Sequence, residues 1–215
     1  MPARPTTRLL AAFFLAVTAC TTATVPDAQS LTVDSLKRLP PQTYVLVPDQ
    51  AEVGFSVRPI AFPKITGTFE SFDGAVMVLD ANTPDIKVLT AVDVATVETG
   101  SEFYDNAIKS GAWFDVEAYP RAIFSGSLID WTDTGTGVVD GTLTIRDITR
   151  PAQFAIQLSC DGVQRCPQDA VGFDGEIVVS RSAFGMSQYP GFVRDKVQLS
   201  VSGTLVADAP WSDRE

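Results

Sequence analysis

Residues 197–205 read Val-Gln-Leu-Ser-Val-Ser-Gly-Thr-Leu, so Val197, Leu199, Val201 and Leu205 alternate with polar residues. Neighbouring side chains of a β-strand point to opposite faces, and this period of two is therefore typical of a strand with one buried face. The stretch predicts that the end of the chain contributes an apolar face to a β-sheet core.

The same alternation recurs along most of the chain. It is clear at 53–57, 139–145 and 153–159, and less regular strands are predicted at 65–70, 72–79, 86–97, 122–131 and 171–180. Turn signals such as Asp73-Gly74 and Asn82-Thr83-Pro84 separate them. Eight or nine mostly antiparallel strands follow. Because an open sheet of that size exposes its edges, we expect closure into a barrel or folding into a sandwich.

One segment, 101–111, breaks the alternation and predicts a short helix. Ser101 is the expected N-cap, and Gly111 is the expected left-handed closing residue. Phe103, Ala107 and Ile108 are then predicted to face the barrel. The helix is interpreted as a plug at a barrel end, with a moving gate as the alternative.

Composition excludes several classes of function. The chain has 16 Lys and Arg against 26 Asp and Glu, a formal charge of -10, which argues against nucleic acid as a partner. It contains no His, the usual proton shuttle and the commonest zinc ligand, so neither a metal site nor a cofactor is predicted. One globular domain with a full core is expected.

The amino terminus is typical of an export signal. Arg4 and Arg8 precede an apolar stretch, 9–17, which is too short to span a bilayer and ends close to Cys20. The pattern resembles a bacterial lipoprotein signal, which implies cleavage before Cys20 and lipidation of its thiol. The alternative is an ordinary signal cut after Ala19 or Ala23. We therefore expect a signal peptide at 1–19, a lipidated tether at 20–42, a barrel domain at 43–208 and a tail at 209–215, in the bacterial envelope on the periplasmic side.

Cys160 and Cys166 enclose a short loop between two predicted strands. Disulfides persist in exported chains, and closing this loop would constrain the unfolded state by roughly 2 kcal/mol. We expect the two cysteines to be paired.

Several motifs occur in an order that identifies a family resemblance. They are Val53-Gly54-Phe55-Ser56-Val57, Ile65-Thr66-Gly67-Thr68-Phe69, Trp113-Phe114-Asp115, Gly141-Thr142-Leu143-Thr144-Ile145 and Ser180-Arg181-Ser182-Ala183-Phe184-Gly185-Met186. Together they resemble the YceI-like, polyisoprenoid-binding family over nearly all of 44–206. The resemblance implies an all-β, antiparallel, eight-stranded, lipocalin-like barrel that holds a long isoprenoid chain, such as a polyprenyl lipid or quinone tail.

Inward apolar side chains of the predicted strands are the candidate ligand lining. These residues are Phe55, Phe69, Phe124, Phe154, Ile156, Leu158, Phe173, Leu199 and Val201, with Arg181 as a candidate headgroup contact. A packed core needs the same inward residues, so the pattern alone leaves both a tunnel and a filled interior open.

Cations near the family motifs are further candidates for a ligand phosphate, with pairing to local carboxylates as the alternative. They are Arg58, Lys64, Arg121, Arg146, Arg150, Arg181 and Arg194. Family members often carry a His after the second strand, where this chain reads Arg58-Pro59-Ile60. That difference argues against a His-dependent headgroup contact here.

Three functions follow as hypotheses. The first is an envelope lipoprotein that binds an isoprenoid lipid, is anchored through Cys20 and performs no chemistry. The second is an enzyme that uses Tyr104, Asp105, Asp115, Glu117 and Tyr119, although their spacing matches no known mechanism. The third is a filled barrel that acts as a docking protein. Whether the barrel forms a homodimer is left open.

Overall fold

The computed structural model describes residues 29–30, 42–78, 86–130, 136–160 and 170–207. The strands are β1 (Gln29–Ser30), β2 (Gln42–Pro59), β3 (Ile65–Phe69), β4 (Phe72–Val78), β5 (Ile86–Asp93), β6 (Val97–Glu98), β7 (Arg121–Ile129), β8 (Thr136–Ile145), β9 (Ile148–Cys160), β10 (Ala170–Ser180) and β11 (Val193–Ala207). One α-helix, α1, spans Glu102–Lys109, and short 3-10 helices span Val94–Thr96 and Arg181–Phe184. Within these ranges no helix is long and apolar enough to cross a bilayer.

Antiparallel pairing closes eight of the strands into a ring. The order runs β2, β4, β5, β7, β8, β9, β10 and β11, and β11 pairs again with β2. This arrangement leaves the ring no free edge, which is the physical advantage of a closed barrel. The predicted all-β, antiparallel, lipocalin-like fold is confirmed.

The continuous strand path has ten members, whereas eight were predicted. The difference arises because β2 is 18 residues long and pairs with two different strands on the same side. Its first half pairs with β4, and its second half pairs with β3, which in turn pairs with β6. In addition, β1 lies within the predicted tether and pairs with the end of β9.

A register shift bends β2 and β11 where they pair. Gly203 lies opposite Ala51, and the next aligned pair is Leu205 with Leu46. A Cβ atom at Gly203 would lie 2.7 Å from the Ala51 Cα atom, so this corner requires glycine. The bend places the two halves of β2 against different neighbours.

Two predicted local features are wrong. Asp73-Gly74 is not a turn, because both residues lie inside β4, where they pair with Ala91 and Thr90 of β5. The predicted strand 86–97 is interrupted by a 3-10 turn, in which the Asp93 carboxylate accepts from the Ala95 N–H at 3.0 Å.

The helix also differs from its prediction. The Ser101 side chain makes no cap hydrogen bond, and the helix closes at Ser110 rather than at a left-handed Gly111. Phe103 is 75% exposed, whereas Asp105 is the buried residue of α1. Asp105 turns inward because its carboxylate accepts from the Thr99 N–H at 2.9 Å and the Thr99 hydroxyl at 2.6 Å.

The two ends of the barrel differ. Here the helix end is the end at which β2, β8 and β10 finish, and it carries α1, the segment 110–120 and the 3-10 turn Arg181–Phe184. The terminal end is the opposite one, where β2 begins at Gln42 and β11 finishes at Ala207. The chain that leads from Cys20 therefore enters the barrel at the terminal end.

Candidate functional site: an apolar barrel cavity

The closed wall of strands surrounds a cavity of about 170 Å³. Every strand of the ring contributes to its lining. β4 contributes Gly74, and the other strands turn apolar side chains inward. On β11 these are Leu199, Val201 and Leu205, the residues whose spacing predicted the strand. The interior is thus partly hollow, although a ring of buried side chains packs around the space.

The lining is almost entirely hydrocarbon. Of the residues that the structure describes, no charged one contributes to it, and only Tyr44, Thr90 and Ser200 bring polar side-chain groups. A cavity of roughly 150 Å³ with apolar walls stays dry and takes up small hydrocarbons in another protein. This cavity is of the same size class and the same chemistry.

Seven of the nine apolar residues predicted to contact ligand line the cavity. They are Phe69, Phe124, Phe154, Ile156, Phe173, Leu199 and Val201. Their position is established by the structure, while their contact with a ligand stays a prediction.

Two aromatic arrangements shape the cavity wall. Phe124 of β7 and Phe154 of β9 meet edge to face with ring centroids 4.8 Å apart, which bridges the intervening strand β8. Phe69 of β3 meets Phe114 edge to face at 6.1 Å. Phe114 comes from the segment 110–120, so this segment supplies part of the wall at the helix end.

Phe55 is not in the lining. Phe55 packs beside Phe69, with ring centroids 5.8 Å apart, and borders a separate polar hollow that also contains Lys64 and Glu98. Gly54 and Ser200 border both the cavity and this hollow. The Leu158 side chain lies outside the described part of β9, and its predicted role stays a prediction.

Arg181 lies outside the cavity, contrary to the headgroup placement predicted for it. It is 4% exposed, and its guanidinium donates to the backbone carbonyls of Met186, Val193 (3.0 Å) and Arg194 (3.3 Å). Its carbon Cζ also lies 5.0 Å from the centre of the Trp113 ring. Its donors are therefore used to tie the end of β10 to the start of β11, and to hold the segment 110–120 in place.

A second arginine holds the same segment. Arg146, in the turn between β8 and β9, lies 3.7 Å from the Asp115 carboxylate and 5.5 Å above the Tyr119 ring. The Asp115 carbonyl in turn accepts from the Tyr119 N–H at 2.8 Å. The two arginines together fasten the segment 110–120 to the helix end of the barrel.

The remaining predicted cations lie away from the cavity. Arg121 pairs with Asp73 at 3.3 Å on the surface, and Arg150 donates to the Ala183 carbonyl at 3.1 Å. Arg58, Lys64 and Arg194 are exposed. None of the seven predicted cations is among the residues that line the cavity.

The acidic and tyrosine residues considered for catalysis do not form one site. Asp105 is engaged by Thr99, while Asp115 and Tyr119 contact Arg146. Tyr104 and Glu117 are exposed. Within the described ranges, no three Cys, Asp or Glu side chains come close enough together to hold a metal ion.

The structure does not describe the side chains of the cysteines for which lipidation and a disulfide were predicted. Cys20 and Cys166 lie outside the described residues, and so does the side chain of Cys160. Lipidation and the disulfide stay predictions.

About two thirds of the residues that line the cavity were not among the predicted ligand contacts. The additional side chains include Tyr44, Leu46, Val53, Val88, Val92, Val94, Phe114, Ala122, Leu128, Val139, Leu143, Ile145, Val171 and Leu205. For Leu143 and Ile145 the period of two was a sufficient signal, and they were passed over in favour of aromatic residues. Phe114 lies outside the strands, and no periodicity could have placed it.

Comparison with known proteins gives one consistent result. The sequence pattern of the YceI-like domain matches residues 44–205. A protein of Ectopseudomonas mendocina described as "UPF0312 protein" is 26% identical over 152 residues, which cover 71% of this chain and 80% of that relative. A "UPF0312 protein" of Pseudomonas savastanoi pv. phaseolicola is 28% identical over 153 residues, which cover 71% and 79%.

Solved structures show the same fold. BcnA of Burkholderia cenocepacia superposes with a TM-score of 0.65 at 24% identity, covering 74% of this chain and 98% of that one. A domain of Saccharophagus degradans, described as a polyisoprenoid binding domain implicated in plant cell wall breakdown, gives a TM-score of 0.57 at 12% identity. That match covers 79% of this chain and 100% of the other.

Proposed function

Because the chain belongs to the family of YceI-like domains, we propose that its barrel cavity binds the hydrocarbon chain of an isoprenoid lipid. The observation that carries the proposal is an apolar lining to which no charged side chain of the described residues contributes. Among the described residues the lining offers three hydroxyl groups but no carboxylate, amine or thiol, and the role we propose is binding without chemistry. The polyisoprenoid-binding description of the Saccharophagus degradans domain supports the choice of ligand class.

Hydrophobic transfer is sufficient to hold such a guest. Burial contributes about 0.8 kcal/mol per methylene, so one five-carbon unit gains about 4 kcal/mol before the costs of association. The few polar groups of the lining would leave chain length and shape as the basis of selectivity.

The size of the cavity limits how much of the guest fits without movement. About 170 Å³ suits a small hydrocarbon, of the order of one or two isoprene units. A longer chain needs the wall to yield or must continue beyond the cavity.

The cellular setting is the second part of the proposal. We propose that Cys20 is lipidated after removal of residues 1–19 and that the barrel works on the periplasmic side of the envelope, where it sequesters or carries its lipid. Without residues 1–19 the chain has 14 cations against 26 carboxylates, a formal charge of -12. Anchoring to an anionic membrane would then depend on acyl chains and not on net charge.

Extraction of the protein purified from its own cells tests the ligand. Organic solvent should release a prenyl species in roughly stoichiometric amount, identified by mass spectrometry. Ile156 lines the cavity, and on the neighbouring strands it pairs with Gly137 and Gly175. Ile156→Arg should prevent lipid binding, because it places a charge in the apolar lining. Ala155→Arg is the matched control, since the neighbouring Ala155 side chain is exposed.

The result that contradicts the proposal is an extract without lipid from a folded parent protein. Equal amounts of prenyl species from both variants would show that the lipid is bound outside the cavity. Thermal melts of both variants establish that the barrel is folded in each case.

A further inference from the structure

A cluster of large apolar side chains is exposed at the helix end of the barrel. Ile60 and Phe62, in the loop between β2 and β3, are 56% and 67% exposed, and Tyr189 and Phe192, before β11, are 58% and 72% exposed. We call these four residues the loop patch. Groups of exposed apolar side chains that together present several hundred Å² are often interaction sites on soluble proteins.

The two loops of the patch are joined to each other. The Ile60 N–H donates to the Phe192 carbonyl at 2.9 Å, next to the paired residues Pro59 and Val193. The Tyr189 carbonyl accepts from the N–H groups of Phe192 (3.1 Å) and Val193 (3.2 Å). Backbone hydrogen bonds thus hold the four side chains on one platform.

The charge around the patch is opposite to that of the whole chain. The segments 58–64 and 186–194, which are the two loops with the adjoining ends of β2 and β11, contain Arg58, Lys64 and Arg194 and no Asp or Glu. The whole chain, by contrast, has ten more carboxylates than cations (26 against 16). Among the described residues, no ion pair or side-chain hydrogen bond is formed by these three cations. The nearest acid in sequence, Asp195, accepts from the Ser182 N–H at 3.0 Å.

We propose that the loop patch docks on the surface of an anionic lipid bilayer. Aromatic and aliphatic tips enter the headgroup region, and the three cations lie against lipid phosphates. Gln42, where the chain from Cys20 enters the barrel, lies at the terminal end. The patch therefore provides a membrane contact that is separate from an acyl anchor and does not depend on what the cavity holds.

A bilayer fits this surface better than a protein does. The four side chains expose roughly 500 Å², if each offers about 200 Å² in full, whereas stable protein interfaces bury about 800 Å² per partner. A second copy of this chain would also bring three like charges against three. A bilayer needs no matching shape and supplies negative charge.

Vesicle co-sedimentation tests the proposal with the full chain carrying Cys20→Ala, which cannot be acylated. Vesicles of phosphatidylcholine with about 30 mol% phosphatidylglycerol should bind the protein, and raising salt to about 0.5 M should weaken binding. Phe62→Ser with Phe192→Ser should weaken binding at least about tenfold. The control is Phe103→Ser, because Phe103 is 75% exposed but lies on α1 beside the exposed carboxylate of Glu102. This variant should change binding less than about twofold.

A charge variant gives a second, independent measurement. Arg58→Gln, Lys64→Gln and Arg194→Gln together should remove the preference for phosphatidylglycerol over pure phosphatidylcholine. The proposal is overturned if the double serine variant binds as the parent does, or if Phe103→Ser weakens binding equally. It is also overturned if the double variant loses only self-association, which would make the patch an interface between copies.

Discussion

Filling the cavity from within should weaken ligand binding without unfolding the barrel, and Ala122 is the position at which to do so. Ala122 lies on β7, lines the cavity and is partly buried against the core. Ala122→Leu adds three carbon atoms to the hollow. Ala155→Leu adds the same three atoms to an exposed position on β9, and is therefore the matched control.

The expected loss of affinity follows from the hydrocarbon that the new side chain displaces. Three carbon positions at about 0.8 kcal/mol each amount to about 2.4 kcal/mol, which corresponds to about a 50-fold rise in Kd. Because the cavity offers about 170 Å³, the added atoms meet free space. The free energy of unfolding should then change by less than about 1 kcal/mol, below the roughly 1–3 kcal/mol that overpacking usually costs.

The assay is titration of the delipidated full chain, carrying Cys20→Ala, with a dansyl-labelled farnesyl probe, alongside urea unfolding of each variant. The control should bind within about twofold of the parent. If Ala122→Leu is folded and binds the probe as tightly as the parent, the isoprenoid does not occupy this cavity. If it loses several kcal/mol of stability, the space is smaller than the geometry indicates.

Three other outcomes are expected. Arg181→Met should lower the free energy of unfolding by about 3 kcal/mol, because three backbone carbonyls lose a buried charged donor; urea unfolding showing no loss would contradict this role. The Ser182 hydroxyl and N–H hold the pKa of Asp195 below 3.8, so its stabilising effect is complete above that pH and is lost as pH falls through the lowered pKa. The melting temperatures of the parent and Asp195→Asn should therefore converge in acid, and a constant difference would exclude this cause. Alkylation without reductant should leave Cys160 and Cys166 unmodified, and two reactive thiols would show that they are not paired.

The period of two predicted which side chains of a strand point to the same face of the sheet, but not which strands lie side by side. Leu199 and Val201 were placed correctly because a pleated strand fixes the side to which each residue points. The count of ten strands escaped prediction because β2 changes partner at a bend, and no local pattern shows which strand lies beside which half. The closed ring could be predicted only in general terms, from the need to cover sheet edges.

Side chains outside the strands were predicted poorly, for a physical reason. An eight-residue helix is positioned by a few tertiary contacts, so the bond from Thr99 to Asp105 was enough to leave Phe103 in solvent. Arg181 was recognised as a notable cation, but its role depends on carbonyls of residues 186, 193 and 194. Those carbonyls are brought together by the fold, and a guanidinium whose donors they occupy is not available to a headgroup.

A longer isoprenoid chain can be accommodated where the lining side chains are separated at the lowest cost in free energy. Separating the edge-to-face pair Phe124 and Phe154 forfeits about 0.5–1.5 kcal/mol beyond area burial, less than the roughly 4 kcal/mol gained by burying one more five-carbon unit. Opening the helix end would instead strip a buried guanidinium of three carbonyls and of Trp113, at a cost of several kcal/mol. The cavity should therefore expand between the side chains of Phe124 and Phe154, while the helix end keeps its structure.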